Sequence, residues 1–178
     1  MQITGGKFNS RQLLSPKGDN VRPTLSKIRS AVFDSLRSFM DFEDKVFLDM
    51  FAGSGVMGLE AVSRGFKKSF AIEKDRKTFL NIKHNYELLG VEENVFWGDS
   101  VKKLAALNTK FDVIYIDPPY DENLYEPALR AIAKCCALQD GGIVVLEHLE
   151  DEIINSESYS VIKQKHYANK VITILGRI

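Results

Sequence analysis

Residues 46 to 58 read Val-Phe-Leu-Asp-Met-Phe-Ala-Gly-Ser-Gly-Val-Met-Gly, an apolar run, a glycine turn and the start of a helical pattern continued by Leu59, Ala61 and Val62. Gly53, Gly55 and Gly58 satisfy G-x-G-x-x-G in the context that gives this spacing meaning, directly after a strand and opening a helix. Glycines there permit a tight turn and let a ligand press against bare backbone. A chain built this way is committed to strands and helices alternating around a parallel sheet, with ligands at the carboxyl ends of the strands. The pattern from Val46 onward agrees. Short apolar strands are expected near 46–50, 68–73, 94–98, 111–117 and 141–147, with the longest helices from Asp75 to Leu89 and from Glu122 to Ala137. After residue 150, Tyr-Ser-Val-Ile-Lys-Gln-Lys-His-Tyr, Ala-Asn-Lys and Val-Ile-Thr-Ile-Leu read as a closing antiparallel hairpin. The expected fold class is α/β, Rossmann-like, a mostly parallel seven-stranded sheet with a C-terminal antiparallel hairpin.

Acids end these strands. Asp49 lies four residues before Gly53, where a dinucleotide-binding strand would still be apolar. Glu73 stands 20 positions past Gly53, the distance at which an acid accepts ribose hydroxyls. Asp99 closes Asn-Val-Phe-Trp-Gly-Asp, and Asp117 closes a fourth strand. One such acid is ordinarily a helix cap or a solvated loop residue. Four at successive strand ends point to a binding site.

Ahead of Val46 the chain reads as a hairpin-like segment from Ile3 to Leu14, a Ser-Pro-Lys-Gly turn, and a helix from about Thr24. Thr24 is placed as its N-cap, with Ile28, Ala31, Val32, Leu36 and Phe39 on one apolar face. Lys and Arg total 24, as do Asp and Glu, so the chain of 178 residues is neutral; residues 1–37 nevertheless hold seven cations against Asp19 and Asp34. That leaves +5 on this segment and −5 on the rest. A basic arm on an acidic body suits phosphate binding in one place. The length fits one domain, with 1–40 as a basic, RNA-facing N-terminal part and 41–178 as a catalytic core. No run is long and apolar enough to span a bilayer, and the first residues lack a signal pattern, so a cytoplasmic protein is expected. Cys135 and Cys136 fall in a helical run and are read as packing residues. His84, His148 and His166 are isolated, without metal spacing.

Residues 111 to 120 read Phe-Asp-Val-Ile-Tyr-Ile-Asp-Pro-Pro-Tyr. The two prolines cannot donate. The segment therefore offers a carboxylate (Asp117), an acceptor carbonyl (Pro118) and an aromatic ring (Tyr120), the set needed to hold an amino group on a flat base. This resembles motif IV of the S-adenosylmethionine-dependent amino-methyltransferases. With Gly5-Gly6, Arg22-Pro23-Thr24 ahead of a helix carrying Arg29, Asp49 to Gly58, Glu73-Lys74-Asp75 and Asp117 to Tyr120, nearly the whole chain resembles the RsmD family, bacterial enzymes that methylate the N2 amine of one guanine in 16S ribosomal RNA.

The resemblance implies a class I methyltransferase fold and S-adenosylmethionine as cofactor. It also implies that Thr24, Asp49, Phe51, Ala52, Gly53, Ser54, Gly55, Glu73, Lys74, Asp99, Ser100 and Asp117 hold the cofactor. Asp49 would lie near its methionine end and Asp99 would take the adenine amine. Asp117, Pro118, Pro119 and Tyr120 would be catalytic; Lys7, Arg11, Lys17, Arg22 and Arg29 would meet RNA. The expected partner is 16S ribosomal RNA or the assembling small subunit, engaged by a monomer without metal. Three other readings stay open: a DNA adenine-N6 methyltransferase with the same tetrad, a nicotinamide oxidoreductase, and a non-catalytic RNA-binding protein on this fold. Asp49 and the tetrad argue against the oxidoreductase. The short insertions argue against a DNA-reading enzyme, and the intact motifs against the non-catalytic form.

Overall fold

The computed structural model describes residues 1–15, 23–119, 122–152 and 154–178, and only the backbone of residues 23–25. Seven strands form one sheet: β1 (Val46–Asp49), β2 (Lys68–Glu73), β3 (Val95–Trp97), β4 (Phe111–Ile116), β5 (Leu138–Leu149), β6 (Tyr159–Tyr167) and β7 (Lys170–Arg177), in the order β3-β2-β1-β4-β5-β7-β6. The first five run parallel, whereas β7 pairs antiparallel with both β5 and β6. The order reverses between β1 and β4. In open α/β sheets that reversal opens a crevice at the strand carboxyl ends.

The helices are α1 (Pro23–Arg37), α2 (Val56–Ser63), α3 (Arg76–Leu88), α4 (Ser100–Leu104) and α5 (Tyr125–Lys134). Strand side chains alternate between two cores, as the two-residue period requires. Phe47, Val113, Tyr115 and Val145 face a core shared with Ile28, Val32 and Phe33 of α1, Leu59 of α2 and Ile82 and Tyr86 of α3. Leu48, Ile114, Ile116, Val144 and Leu146 face the other core, shared with Leu104 of α4 and Leu129 and Ile132 of α5.

The first residues form a narrow hairpin, with Gln2 bridged to Gln12 and Ile3 N–H donating to the Arg11 carbonyl. It docks on α2 through Gly5 and Gly6. A Cβ on Gly6 would stand 1.8 Å from the Ser63 carbonyl oxygen. The Gly5 carbonyl accepts from the Ser63 hydroxyl, and Glu60, fully buried, accepts from the Thr4 N–H and hydroxyl and from Arg64.

Three expectations are corrected. Helix α1 begins at Pro23, so Thr24 lies inside its first turn and is not the N-cap; proline's preset φ and missing N–H suit the opening position. Phe39 lies past the end of α1 and is exposed, whereas Phe33, not placed on the apolar face, is buried in the core. Helix α5 stops at Lys134, and both cysteines are exposed beyond it. Cys136 is left-handed (φ 48°), its N–H reaches the Ala133 carbonyl and the Ala137 N–H reaches Ile132. That pair of bonds is a Schellman stop, which turns the chain before the cysteines can pack.

Candidate active site

The carboxyl ends of β1, β2, β4 and β5 bring the acids together. Asp49 is buried between β2, where it pairs with Ala71, and β4, where it pairs with Tyr115. Its Oδ1 has no hydrogen-bond partner. Burial drives its pKa well above the ordinary carboxylate value, and the charges of Asp117 and Glu73 push the same way.

The glycine loop follows. Gly53 and Gly55 both have positive φ, 52° and 75°, but only Gly53 faces open space; a Cβ on Gly55 would meet Ile82 at 2.6 Å. A Cβ on Gly58 would stand 2.3 Å from the Tyr86 hydroxyl, so the third glycine serves the contact of α2 with α3. Glu73 ties the loop down. One of its oxygens accepts from Gly53 N–H at 2.9 Å and the other from Asp75 N–H at 2.8 Å, while burial raises its pKa. Lys74 ion-pairs with Glu122 across the chain. At the end of β3, Asp99 accepts from Lys102 N–H at 2.9 Å and so caps α4 through one oxygen.

Past β4, Asp117 is half-buried, Pro118 buried and Pro119 exposed. The Asp117 carboxyl is pushed up to about 7, by burial first and then by the charge of Glu147, with Lys170 pulling it down. Glu147 was not singled out in the sequence. It is buried, it accepts from the Tyr115 hydroxyl and from the Lys170 ammonium, and its carbonyl accepts from the Tyr125 hydroxyl at 2.8 Å. An acid ending the apolar run Val144-Val145-Leu146 repeats the signal that marked the other four.

These residues line two clefts. One, about 260 Å³, is bounded by Ile72, Glu73, Lys74, Ser100, Pro118 and Pro119; the other, about 210 Å³, by Met1, Arg29, Asp49, Ala52, Ser54, Tyr115 and Glu147. Phe51, Gly53 and Asp117 belong to both, so the clefts meet over the glycine loop. A larger cleft of about 370 Å³ lies between α5 and residues 155–158, where the charged groups Arg130 and Glu126 already pair with each other.

Arg29, expected on an RNA-facing surface, is buried instead. It donates to the Gln2 carbonyl at 2.9 Å and pairs with Glu60 at 3.6 Å, and burial lowers its pKa against the pull of that partner. On α1 it stands one turn before Phe33 and two before Leu36, on the buried stripe. Lys7 and Arg11 are exposed, Lys7 over the Phe8 ring. Lys17, Arg22 and Tyr120, and the side chain of Thr24, lie outside the described residues. His148 is a satisfied buried group between Thr173 and the Leu149 carbonyl.

The strand order, the antiparallel β7 and a glycine loop ringed by strand-end acids define a Rossmann-like class I methyltransferase fold. A family model described as Conserved hypothetical protein 95 matches residues 1–176, and the chain belongs to this family, the RsmD family. The chain is 32% identical over 153 residues to "Putative rRNA methyltransferase YlbH" of Bacillus subtilis, covering 83% of this chain and 82% of the relative. It is 30% identical over 148 residues to "Ribosomal RNA small subunit methyltransferase D" of Escherichia coli K12, covering 83% and 74%. The solved structure "Putative methyltransferase yhhF from Escherichia coli" superposes with a TM-score of 0.85 at 26% identity, covering 99% of this chain and 97% of that one.

Proposed function

We propose that this protein transfers a methyl group from S-adenosylmethionine to the exocyclic N2 amine of a guanine in 16S ribosomal RNA. The observation that carries the reading is the pair of clefts meeting at Asp117, one ending at the unpartnered Oδ1 of buried Asp49 and the other at Glu73. The residues fit the cofactor. Gly53 leaves open space where the ligand would cross the loop, and Asp49 offers an unused acceptor to an ammonium group. Glu73 and Ser100 line the half suited to the ribose and adenine, and Asp99 keeps one oxygen beyond its capping bond.

The cofactor supplies a methyl group on a cationic sulfur. The protein supplies position and polarity. A guanine N2 lone pair is delocalised into the ring, so acceptors at the Asp117 carboxylate and Pro118 carbonyl favour a more tetrahedral nitrogen. Holding both reactants in line lowers a barrier by roughly 7–11 kcal/mol. On accepting the methyl group the amine nitrogen would shed one proton, and the Asp117 carboxyl, poised at about 7, would be placed to take it. A base stacked in a duplex cannot enter such a cleft and must be single-stranded or flipped out. Lys7 and Arg11 supply the described part of the RNA-facing arm.

The names of the relatives favour ribosomal RNA over DNA. Labelled methyl transfer to 16S RNA, with the product mapped by mass spectrometry, should give N2-methylguanine. Asp117→Ala should lower kcat roughly 10²–10³-fold with little change in KM, as expected for losing a preorganised polar partner. Label entering DNA adenine, or an unchanged rate for Asp117→Ala, would overturn the proposal.

A further inference from the structure

Trp97 is the single tryptophan of the chain and stands at the carboxyl end of β3, the outermost strand on its side of the sheet. It is 52% exposed, although a large aromatic gains most from burial. It is also held in place. Its Nε1–H donates to the Lys74 carbonyl at 3.0 Å, and the Arg76 guanidinium lies 5.7 Å from its ring centre. Beside it, the Lys103 side chain lies against Gly98, where an added Cβ would come within 3.2 Å of the lysine Cε.

The surroundings are cationic. Arg76 and Lys77 open α3, and Lys102 and Lys103 sit in α4; among the described residues none of the four makes a salt bridge. The two acids between them, Asp75 and Asp99, are turned onto backbone N–H groups as helix caps. The patch borders the cleft, since Lys74 and Ser100 line it. Helix α3 also links it to the N-terminal arm, because Asn85 of α3 exchanges two hydrogen bonds with the backbone of Leu14.

We infer that Trp97 is a stacking platform for an unpaired RNA base flanking the target nucleotide, with Arg76, Lys77, Lys102 and Lys103 taking the adjoining phosphates. This rests on the RNA reading above and adds a second contact surface to it. An indole pinned through its N–H offers a ring face at little entropic cost, and aromatic–base stacking with a cationic rim is how unpaired strands are held without sequence selectivity. A protein partner would also use an exposed tryptophan, but four unpaired cations in a chain that is neutral overall favour a polyanion.

The test uses the fluorescence of the wild-type protein excited on the red edge of the indole band, where its six tyrosines do not absorb, so that the signal reports Trp97. At saturating S-adenosylhomocysteine, a single-stranded 16S fragment should quench it with the same midpoint as binding measured by filter retention, and heparin should bind without comparable quenching. Trp97→Ala should weaken RNA binding roughly 5- to 150-fold, the weight of one stacked base, and Trp97→Phe should lose less. Cofactor affinity should hold in both. RNA retained without quenching, or quenching equalled by heparin, overturns the platform and leaves the RNA reading standing. No retention of any RNA by the wild-type protein overturns the RNA reading, and the platform with it.

Discussion

Removing the charge of Glu147 should move the pH at which methyl transfer switches on. The Asp117 carboxyl is pushed up to about 7 from an ordinary value of 3.8, by partial burial first and by the charge of Glu147 second. Strands β4 and β5 pair Ile116 with Leu146, so Asp117 and Glu147 occupy the next positions on adjacent strands. Strands lie about 4.8 Å apart, which puts the carboxylates about 6 Å from each other. At that distance and an effective dielectric of about 20–40, their repulsion is about 1.4–2.8 kcal/mol, or about 1–2 pH units. Glu147→Gln keeps the shape and deletes this term. It also strips Lys170 of a counter-charge, which lowers the Asp117 pKa further. Single-turnover rates at saturating cofactor and RNA should rise with pH through an inflection that lies about 1–2 units lower in the variant than in the wild type. Both enzymes carry the same cofactor charge, so it cancels in the comparison. Stability should follow with the opposite slope. A carboxyl raised in the folded state binds its proton there more readily than in the unfolded chain, so its contribution to stability falls as pH rises between about 4 and 7. That fall should be shallower in Glu147→Gln. An inflection that stays put, or moves upward, would refute the coupling.

The glycine loop offers a contrast between two alanine variants. Gly53→Ala introduces about 1–2 kcal/mol of left-handed strain and points its methyl into open space, so calorimetry should show a loss of cofactor affinity in a protein that remains folded. Gly55→Ala drives its methyl into Ile82 as well, so thermal unfolding should show the larger loss of stability. Glu60→Ala leaves buried Arg29 without its ion-pair partner, while Arg64 keeps Asp34, and should cost about 3–5 kcal/mol in urea unfolding; a loss near zero would mean that the N-terminal hairpin does not depend on this network.

Much of the site was legible because one rule generates it. An acid that interrupts an apolar run at its last position has little reason to be there except the crevice above the sheet, and Asp49, Glu73 and Asp117 obey the rule as read. Glu147 obeys it equally, as the last residue of the strand expected over 141–147, and was passed over; the strand itself continues to Leu149. Asp99 shows the limit. Its carboxylate caps α4 through one oxygen, and a capping acid and a ligand-binding acid leave the same letter in the sequence. Arg29 was misplaced for a different reason. A cation among cations reads as surface, and only its period with Phe33 and Leu36 marks it as inward-facing. The cysteines depended on a single left-handed residue that no apolar count reveals.

The charge balance of the crevice follows from these placements. Asp49, Glu73, Asp117 and Glu147 gather at neighbouring strand ends, where half-buried Lys170 pairs with Glu147 and buried Arg29 pairs with Glu60. The negative side is in excess, and the pKa values of Asp49, Glu73 and Asp117 all stand raised, by burial first and, for Asp49 and Asp117, by neighbouring acids of the crevice as well. Such repulsion costs stability in the free protein, and a hydrophobic residue at any of these positions would relieve it. A ligand carrying positive charge would offset it, and the proposed cofactor, with an ammonium and a sulfonium against one carboxylate, would be a net cation. The same carboxylates that weaken the empty fold would then favour the cationic cofactor over its neutral-sulfur product, so that the site would suit the charge that disappears on transfer.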